Sequence, residues 1–445
     1  MKNSWNRLSD NQRYRKSSAG RWKRLTALGM GVMLLAGALT GCGSPKEEKQ
    51  PDAAGDTAVQ ETAKAGGEKI QLRYATGDSG PAVTVQEQIV KAFNESQDQI
   101  EVKLETYGTA FDQKLAAAIG SDNAPDIVKM WNFPAYYESL VPLQDKIDSL
   151  EDKDDFYATL FNYADMNGNI YGMPIGFSTR AIHYNKDLTD AAGITINEDW
   201  TMEDLKAAAA ATTKDGVTGL YFYYNPDPYA LESILWSNGG EWLNDSGEPV
   251  INSDANKEAL QFLHDMIYKD KIAYTGNRND DFGQAMGSGN YAFGEMGKWF
   301  VSAINEAGIN LGITTMPKFE GGESMSVVHA SFLSVTNGSK NQDAAWEFIK
   351  YYTNYESVKT LCEIEMPVRE SVAKDTGLLD DPQMAPFYTM LERSEAKRPS
   401  LVKSAQWPEV NSEIDAGLEA IFAQEDADVA AVLDEVQTKV EAIIQ

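Results

Sequence analysis

The sequence predicts an α/β protein of two domains built on mainly parallel sheets. Three observations carry this. The chain has 445 residues, more than one ordinary core holds, and 42% of them are hydrophobic, enough for two sizeable cores. Residues 70–128 read strand, helix, strand, helix, strand, the order that sets parallel strands side by side. A second region of the same kind starts near Tyr184.

Each element has its own signal. Ile70 to Tyr74 alternates apolar with polar residues, as a half-buried strand does. The turn Gly77-Asp78-Ser79-Gly80-Pro81 follows, and then Val85, Ile89, Ala92 and Phe93 recur at helical spacing. Ile100 to Leu104 alternates again, Phe111 to Ile119 reads as a helix, and Ile127-Val128 starts a short buried strand. Thr201 with Asp204 has the form of a capping box before an alanine-rich helix. Gly219 to Tyr224 is strand-like in length, and Ala255 to Ile267 carries Leu260, Leu263 and Ile267 on one helical face. Gly308 to Met316 and Val327 to Val335 read as strands. Ala345, Phe348, Ile349 and Tyr352 mark another helix, and Val410 to Ile444 forms two helices around Gln424-Glu425-Asp426. No internal repeat of fixed period is present.

Charge narrows the partners. The formal net charge is −28; eight of the 39 basic residues but only Asp10 of the 67 acids precede Cys42, which leaves 31 basic against 66 acidic residues in the rest. Such a body repels nucleic acid and anionic headgroups. Its plain reading is solubility. There are two cysteines, Cys42 and Cys362, and three scattered histidines, His183, His264 and His329. No CxxC, HExxH or Cys/His cluster occurs, so the sequence carries no metal or cofactor signature and no ready nucleophile–base pair.

The first 24 residues are basic and polar, and Leu25 to Thr40 follows without a charge. A basic segment before an apolar one reads as an export signal, and the apolar run falls short of the ~20 residues of a membrane-spanning helix. It ends in Leu39-Thr40-Gly41-Cys42, which resembles a bacterial lipobox. The resemblance implies removal of residues 1–41 and diacylation of Cys42 as the mature N-terminus, with the body held to the outer face of the cell membrane by two acyl chains. Residues 43–68 have almost no large apolar side chain, so 42–68 is expected to be a flexible tether.

The body resembles the family 1 extracellular solute-binding proteins, the maltose-binding-protein-like group. The likeness runs over nearly all of residues 69–445, through segments that come in the same order: GNIYGMPIGFSTRAIHYNKDL, DWTMEDLKAAAAATT, SNGGEWLNDSGEPVINSDANKEALQFLHDMI, GITTMPKFEGG and MPVRESV among them. It implies a type 2 periplasmic-binding-protein-like fold, with a ligand cleft between two discontinuous lobes joined by a hinge. Lobe one would be 69–177 with 316–355, and lobe two 180–312 with 358–445. It implies a monomer that captures a carbohydrate, an oligosaccharide, and passes it to the permease subunits of an ABC transporter. It implies no catalysis.

A sugar presents apolar C–H faces and a rim of hydroxyls, so its site needs flat aromatic surfaces and planar polar groups. Such groups belong in loops beyond the carboxyl ends of strands. The turn after the first strand offers Asp78 and Ser79; Asp78 either meets ligand or caps the next helix. The loop after Ile127-Val128 offers Trp131 and Asn132, where relatives often have Asp in place of the asparagine. The first lobe crossing holds Ser178 and Arg180; the arginine either forks to sugar hydroxyls or a sugar acid, or bridges the lobes as a salt bridge. Asp227-Pro228-Tyr229 resembles the family's acid-Pro-Tyr segment. Trp236 and Asn238 lie at SNGGEW, and Arg369 in MPVRES. Trp299 and Trp407 match the family's stacking aromatics, with helix packing as the other reading of each. His329 is either a ligand contact or a satisfied core histidine. Trp200 and Trp346 read as packing.

Two other functions fit a cleft of this kind. One is an extracytoplasmic polysaccharide lyase or hydrolase, which needs paired carboxylates or a Tyr, Lys or His base in the cleft. The other is the same fold binding a non-sugar solute.

Overall fold

The structure, a computed structural model, describes residues 69–222, 227–274 and 281–445. The leader, Cys42, the tether and the end of the strand expected to reach Tyr224 lie outside the described residues. Among the described residues, no helix is long and apolar enough to cross a membrane.

Among the described residues, twelve strands occur in chain order: β1 Ile70–Thr76, β2 Ile100–Thr106, β3 Ile127–Met130, β4 Asp165–Met166, β5 Asn169–Ile170, β6 Met173–Thr179, β7 Ala181–Asn185, β8 Thr218–Tyr221, β9 Ala273–Tyr274, β10 Tyr291–Met296, β11 Leu311–Thr314 and β12 Val328–Val335. They make two five-stranded sheets, ordered β2-β1-β3-β12-β6 and β11-β7-β10-β8-β9, and a small β4-β5 pair. The chain passes from the first sheet to the second through Arg180, between β6 and β7. It returns between β11 and β12.

β1 pairs in parallel with β2 (Ile70 opposite Ile100) and with β3 (Tyr74 opposite Ile127), as the early strand–helix order predicts. β12 runs antiparallel to both β3 and β6, with a register shift at Ser331/Phe332. β6 is the edge strand of its sheet, with only an isolated bridge from Phe177 to Met366 on its outer side. That position tolerates Pro174, whose missing N–H needs no ladder partner there. In the second sheet β7 is antiparallel to β10 and β11, while β8 runs parallel to β10 and β9.

Apolar spacing decides which helix faces are buried. Helix Pro81–Ser96 buries Val85, Ile89, Val90 and Phe93, and Phe93 meets Phe348 of helix Gln342–Tyr352 edge-on at 5.1 Å. Tyr74 of β1 lies 5.8 Å from the same Phe348, tying that helix to the sheet. The expected capping box is present: Thr201 accepts from the Asp204 N–H, and the Asp204 carboxylate accepts from the Thr201 N–H. Trp200 and Trp346 are both buried. The last two helices, Trp407–Phe422 and Val429–Ile444, pack on each other and on the helices beside the second sheet.

One expected boundary moves. The break at 355–358 falls inside helix Tyr355–Leu361, which packs against helix Pro81–Ser96 and β6. Val358 and Leu361 are buried there, so that helix stays with the first sheet. The passage to the second sheet comes later, through helix Ala385–Arg393, which touches both β6 and β7.

Candidate functional site

A cavity of about 440 Å³ opens where the loops of the two sheets meet. Strand direction explains who lines it. β1 runs into Asp78, β3 into Trp131, and β10 into Gly297-Lys298-Trp299, so each loop lies beyond a carboxyl end. β12 is antiparallel to β3, so its first residues, Val328 and His329, reach the same place. Helix Pro228–Ser237 adds Asp227, its N-cap, and Tyr229.

Of the residues expected at the site, Asp78, Trp131, Asp227, Tyr229, Trp299 and His329 line this cavity. Two tryptophans stay unusually open: Trp131 is 38% exposed and Trp299 is 42% exposed. A large aromatic surface left in contact with water at a cavity is available to the apolar face of a ligand. Trp131 is backed by Phe111 at 4.8 Å. Trp299 lies so close to Gly297 that a Cβ there would come within 2.3 Å of its ring. Only glycine leaves the indole its place.

In the first-sheet wall sits a partly buried ion cluster. Lys129 of β3 donates to Asp78 Oδ2 at 2.7 Å and to Glu365 Oε1 at 3.2 Å. Burial alone would lower its pKa, but Glu365 and Asp78 overcome that and raise it. Asp78 therefore does not cap the next helix; it also accepts from Gln86, and Gly80 stands at the cap without a side-chain bond. Glu365 reaches the cluster across Gly176 of β6, where an added Cβ would meet its side chain at 2.5 Å. Ser331 lies 3.4 Å from the same carboxylate.

Behind the second wall lies Arg180, which is buried and does not itself line the cavity. Its Nε donates to His329 Nε2 at 3.1 Å and lies 3.5 Å from Glu295 Oε1; its Nη2 is 3.9 Å from Asp227 Oδ2. A ring nitrogen that accepts from a guanidinium has no proton of its own, and His329 is held neutral, well below its ordinary pKa, by burial and by Arg180. The ring sits edge-on between Tyr229 at 4.9 Å and Trp299 at 5.2 Å. Arg180 pairs with two acids beside the second sheet and with a histidine of the first sheet. It thus bridges the sheets by a hydrogen bond to His329, while its acid partners lie on the second sheet's side.

The remaining expectations fare differently. Ser79 is exposed beside Asp78 and does not line the cavity. Asn132 follows Trp131, but its Oδ1 is buried without a hydrogen bond. Ser178 is fully buried behind the cavity, where its hydroxyl accepts from the Lys298 N–H at 3.1 Å. Trp236 and Asn238 lie at a separate hollow of about 390 Å³ beside Gly322. Arg369 is taken by Asp152 at 2.6 Å and Asp155 at 3.0 Å, with its guanidinium 4.1 Å from the Phe156 ring centre. Trp407 is 5% exposed, because the first turn of its helix faces the second core. The structure brings none of these last four to the cavity. Lys129, Tyr163, Ser331 and Glu365 line the cavity although the sequence reading passed over them.

Among the described residues, no group of three or more His, Cys, Asp or Glu side chains is arranged to hold a metal ion.

Residues 88–386 match the family model described as bacterial extracellular solute-binding protein. The chain is 26% identical over 292 residues to an arabinooligosaccharide-binding protein of Halalkalibacterium halodurans; the match covers 61% of this chain and 65% of that relative's length. It is 30% identical over 226 residues to a galactooligosaccharide-binding protein of Bacillus subtilis, covering 47% of this chain and 52% of that one. Among solved structures it is similar to the sugar-binding protein MalE from Xanthomonas citri, with TM-score 0.74, 21% identity, and 84% of this chain and 97% of that one covered. An ABC substrate-binding protein from Listeria monocytogenes in complex with cycloalternan gives TM-score 0.73 at 22% identity, covering 84% of this chain and 99% of that one. These likenesses bear out the two-lobed, periplasmic-binding-protein-like α/β fold.

Proposed function

The chain belongs to the bacterial extracellular solute-binding proteins, and from that premise we propose that it captures an oligosaccharide outside the cytoplasm and delivers it to the permease of an ABC importer. The observation that carries the reading is the cavity with Trp131 and Trp299 left open to water beside carboxylates and a neutral histidine. Apolar sugar faces stack on the indoles, and hydroxyls bond the polar rim. The oligosaccharide-binding relatives support the same ligand class.

The two sheets form the two lobes, and Arg180 lies in one of the strands of chain that joins them. Closing the cleft on ligand needs only φ/ψ changes in those crossings. The protein acts as a receptor and not as an enzyme: the acids at the cavity are engaged in ion pairs and are not set as an acid–base couple. Cys42 is the acylated N-terminus of the mature chain, residues 1–41 are the export signal, and 42–68 tether a monomeric body to the membrane.

A thermal-shift screen over mono- and oligosaccharides tests the function, because a ligand that binds only the folded state stabilises it by RT ln(1 + [L]/Kd). At least one oligosaccharide is expected to raise Tm in a concentration-dependent way. Turnover of that sugar would convert the receptor into an enzyme and sink the reading. For the anchor, Cys42→Ser is expected to leave the protein unacylated and released from the membrane; membrane retention of that variant would refute it.

A further inference from the structure

Beside the cavity the two lobes meet at Lys298. It opens the loop after β10, directly before Trp299, and so belongs to the second sheet. Yet both of its donor groups reach the first. The backbone N–H donates to the hydroxyl of Ser178 in β6 at 3.1 Å. The ammonium donates to the carbonyl of Cys362 at 3.3 Å. Cys362 ends helix Tyr355–Leu361, which packs on β6 and on helix Pro81–Ser96, so its carbonyl is fixed to the first lobe.

The ammonium is placed for a grip that can be released. Carbonyls at the end of a helix lack partners within it and take a cation well. Glu365 lies in the turn that follows, its N–H bonded back to Leu361 at 2.8 Å, and its carboxylate is paired with Lys129. Lys298 is therefore drawn towards that turn without closing an ion pair there. Burial lowers its pKa from the ordinary lysine value, and Glu365 pulls the other way. Its flexible four-carbon stem lets the contact break and re-form while the backbone stays on Ser178. Lys298 does not line the cavity, but Trp299 does. The loop that carries this open indole is thus held at its root by two bonds to the opposite lobe.

We propose that Lys298 is a clasp between the lobes: it sets how readily the cleft opens and holds Trp299 in place over the cavity, without touching ligand. It is a positioning residue. The inference rests on the receptor reading above and deepens it. With the clasp released, the lobes part more often at their crossings and the indole is less often in its binding position. Affinity falls by the fraction of molecules that remain competent to bind.

Lys298→Met keeps the length of the stem and removes the charge and its donors. Hydrogen-exchange mass spectrometry on the purified protein without sugar reads the clasp. Amides of residues 361–366, in the lobe opposite the substitution, are expected to exchange about tenfold faster, the scale of one hydrogen bond from a charged donor. Amides of β1, deep in the same lobe, should keep their rate, which separates release of the clasp from general unfolding. Titration calorimetry with arabinotriose, galactotriose and maltotriose reads the consequence: the best binder is expected to weaken about tenfold in Lys298→Met. Lys298→Arg, which keeps a cation on a long stem, should restore most of both losses. Wild-type exchange at 361–366 in folded Lys298→Met would overturn the clasp whether or not a sugar binds. Faster exchange there with unchanged affinity would overturn the hold on Trp299. Losses that arginine does not restore would show that Lys298 acts through its packed stem and overturn the proposal. Binding of none of the three sugars by the wild type would defeat the carbohydrate reading and leave the exchange rates to decide the clasp. Lys298→Gln takes the place of the methionine variant if that does not fold.

Discussion

Lys129 Nζ lies 2.7 Å from Asp78 Oδ2, which pins the loop after β1 to the middle of β3 directly under the cavity. Glu365 completes the cluster from a segment 236 positions further along the chain. Lys129→Met is expected to cost about 3–5 kcal/mol of folding stability, because it leaves two partly buried carboxylates without their cation. Urea denaturation measures the cost. The Lys129→Met, Asp78→Asn, Glu365→Gln triple variant should recover much of the loss, since no charge then lacks a partner. No recovery would mean that Lys129 matters through its packed stem.

Trp299 and Trp407 separate by environment. Trp299→Ala is expected to weaken sugar binding about tenfold or more with little change in stability, taking about 1–3 kcal/mol per stacked ring by analogy with aromatic stacking on bases. Trp407→Ala is expected to cost about 3–5 kcal/mol of stability, as buried tryptophans do. Calorimetry and denaturation on both variants give the comparison, and an exchanged pattern would swap their roles.

Arg369→Leu is expected to destabilise by about 1–3 kcal/mol, because it removes the buried guanidinium's bonds to Thr353, Asp152 and Asp155 while both acids keep contact with water. Sugar affinity of the folded fraction should stay unchanged. A loss of affinity at constant stability would return Arg369 to the site.

Glu232 sets a pH dependence. It is fully buried on helix Pro228–Ser237, accepts from the Ser400 N–H at 3.0 Å and from the Ser400 hydroxyl, and burial pushes its carboxyl from 4.5 up to about 7. The raised value means the folded state holds its proton longer. The contribution is complete below pH 4.5, is lost as pH rises from there to about 7, and is flat beyond. It is worth about 3 kcal/mol over that window. Glu232→Gln should flatten the decline in ΔG of unfolding between those limits. An unaltered slope would place the titration elsewhere.

How much was legible follows from the range of each interaction. The strand–helix order from Ile70, the box at Thr201 and Asp204, and the last two helices are local patterns, and all appear in the structure. Asp78, Trp131, Asp227, Tyr229, Trp299 and His329 were legible because residue type and position after a strand suffice to nominate them. Lys129 was not. Within Ile-Val-Lys-Met it reads as a break in an apolar strand, and its partners lie 51 and 236 positions away. Trp236 and Arg369 misled for the opposite reason. Nothing in SNGGEW separates a cleft tryptophan from one at another hollow, and nothing in MPVRES reveals Asp152 and Asp155 waiting more than 200 residues upstream.

Gly176 touches no candidate ligand surface, yet the Glu365 carboxylate reaches Lys129 only across the space where its side chain would be. A single methyl group there would displace an acid of the cavity wall without altering any residue that meets a sugar. The lining of the cavity is thus open to inheritance and drift at a position outside it. Two proteins with the same visible binding residues can differ in diet through what lies one layer beneath them.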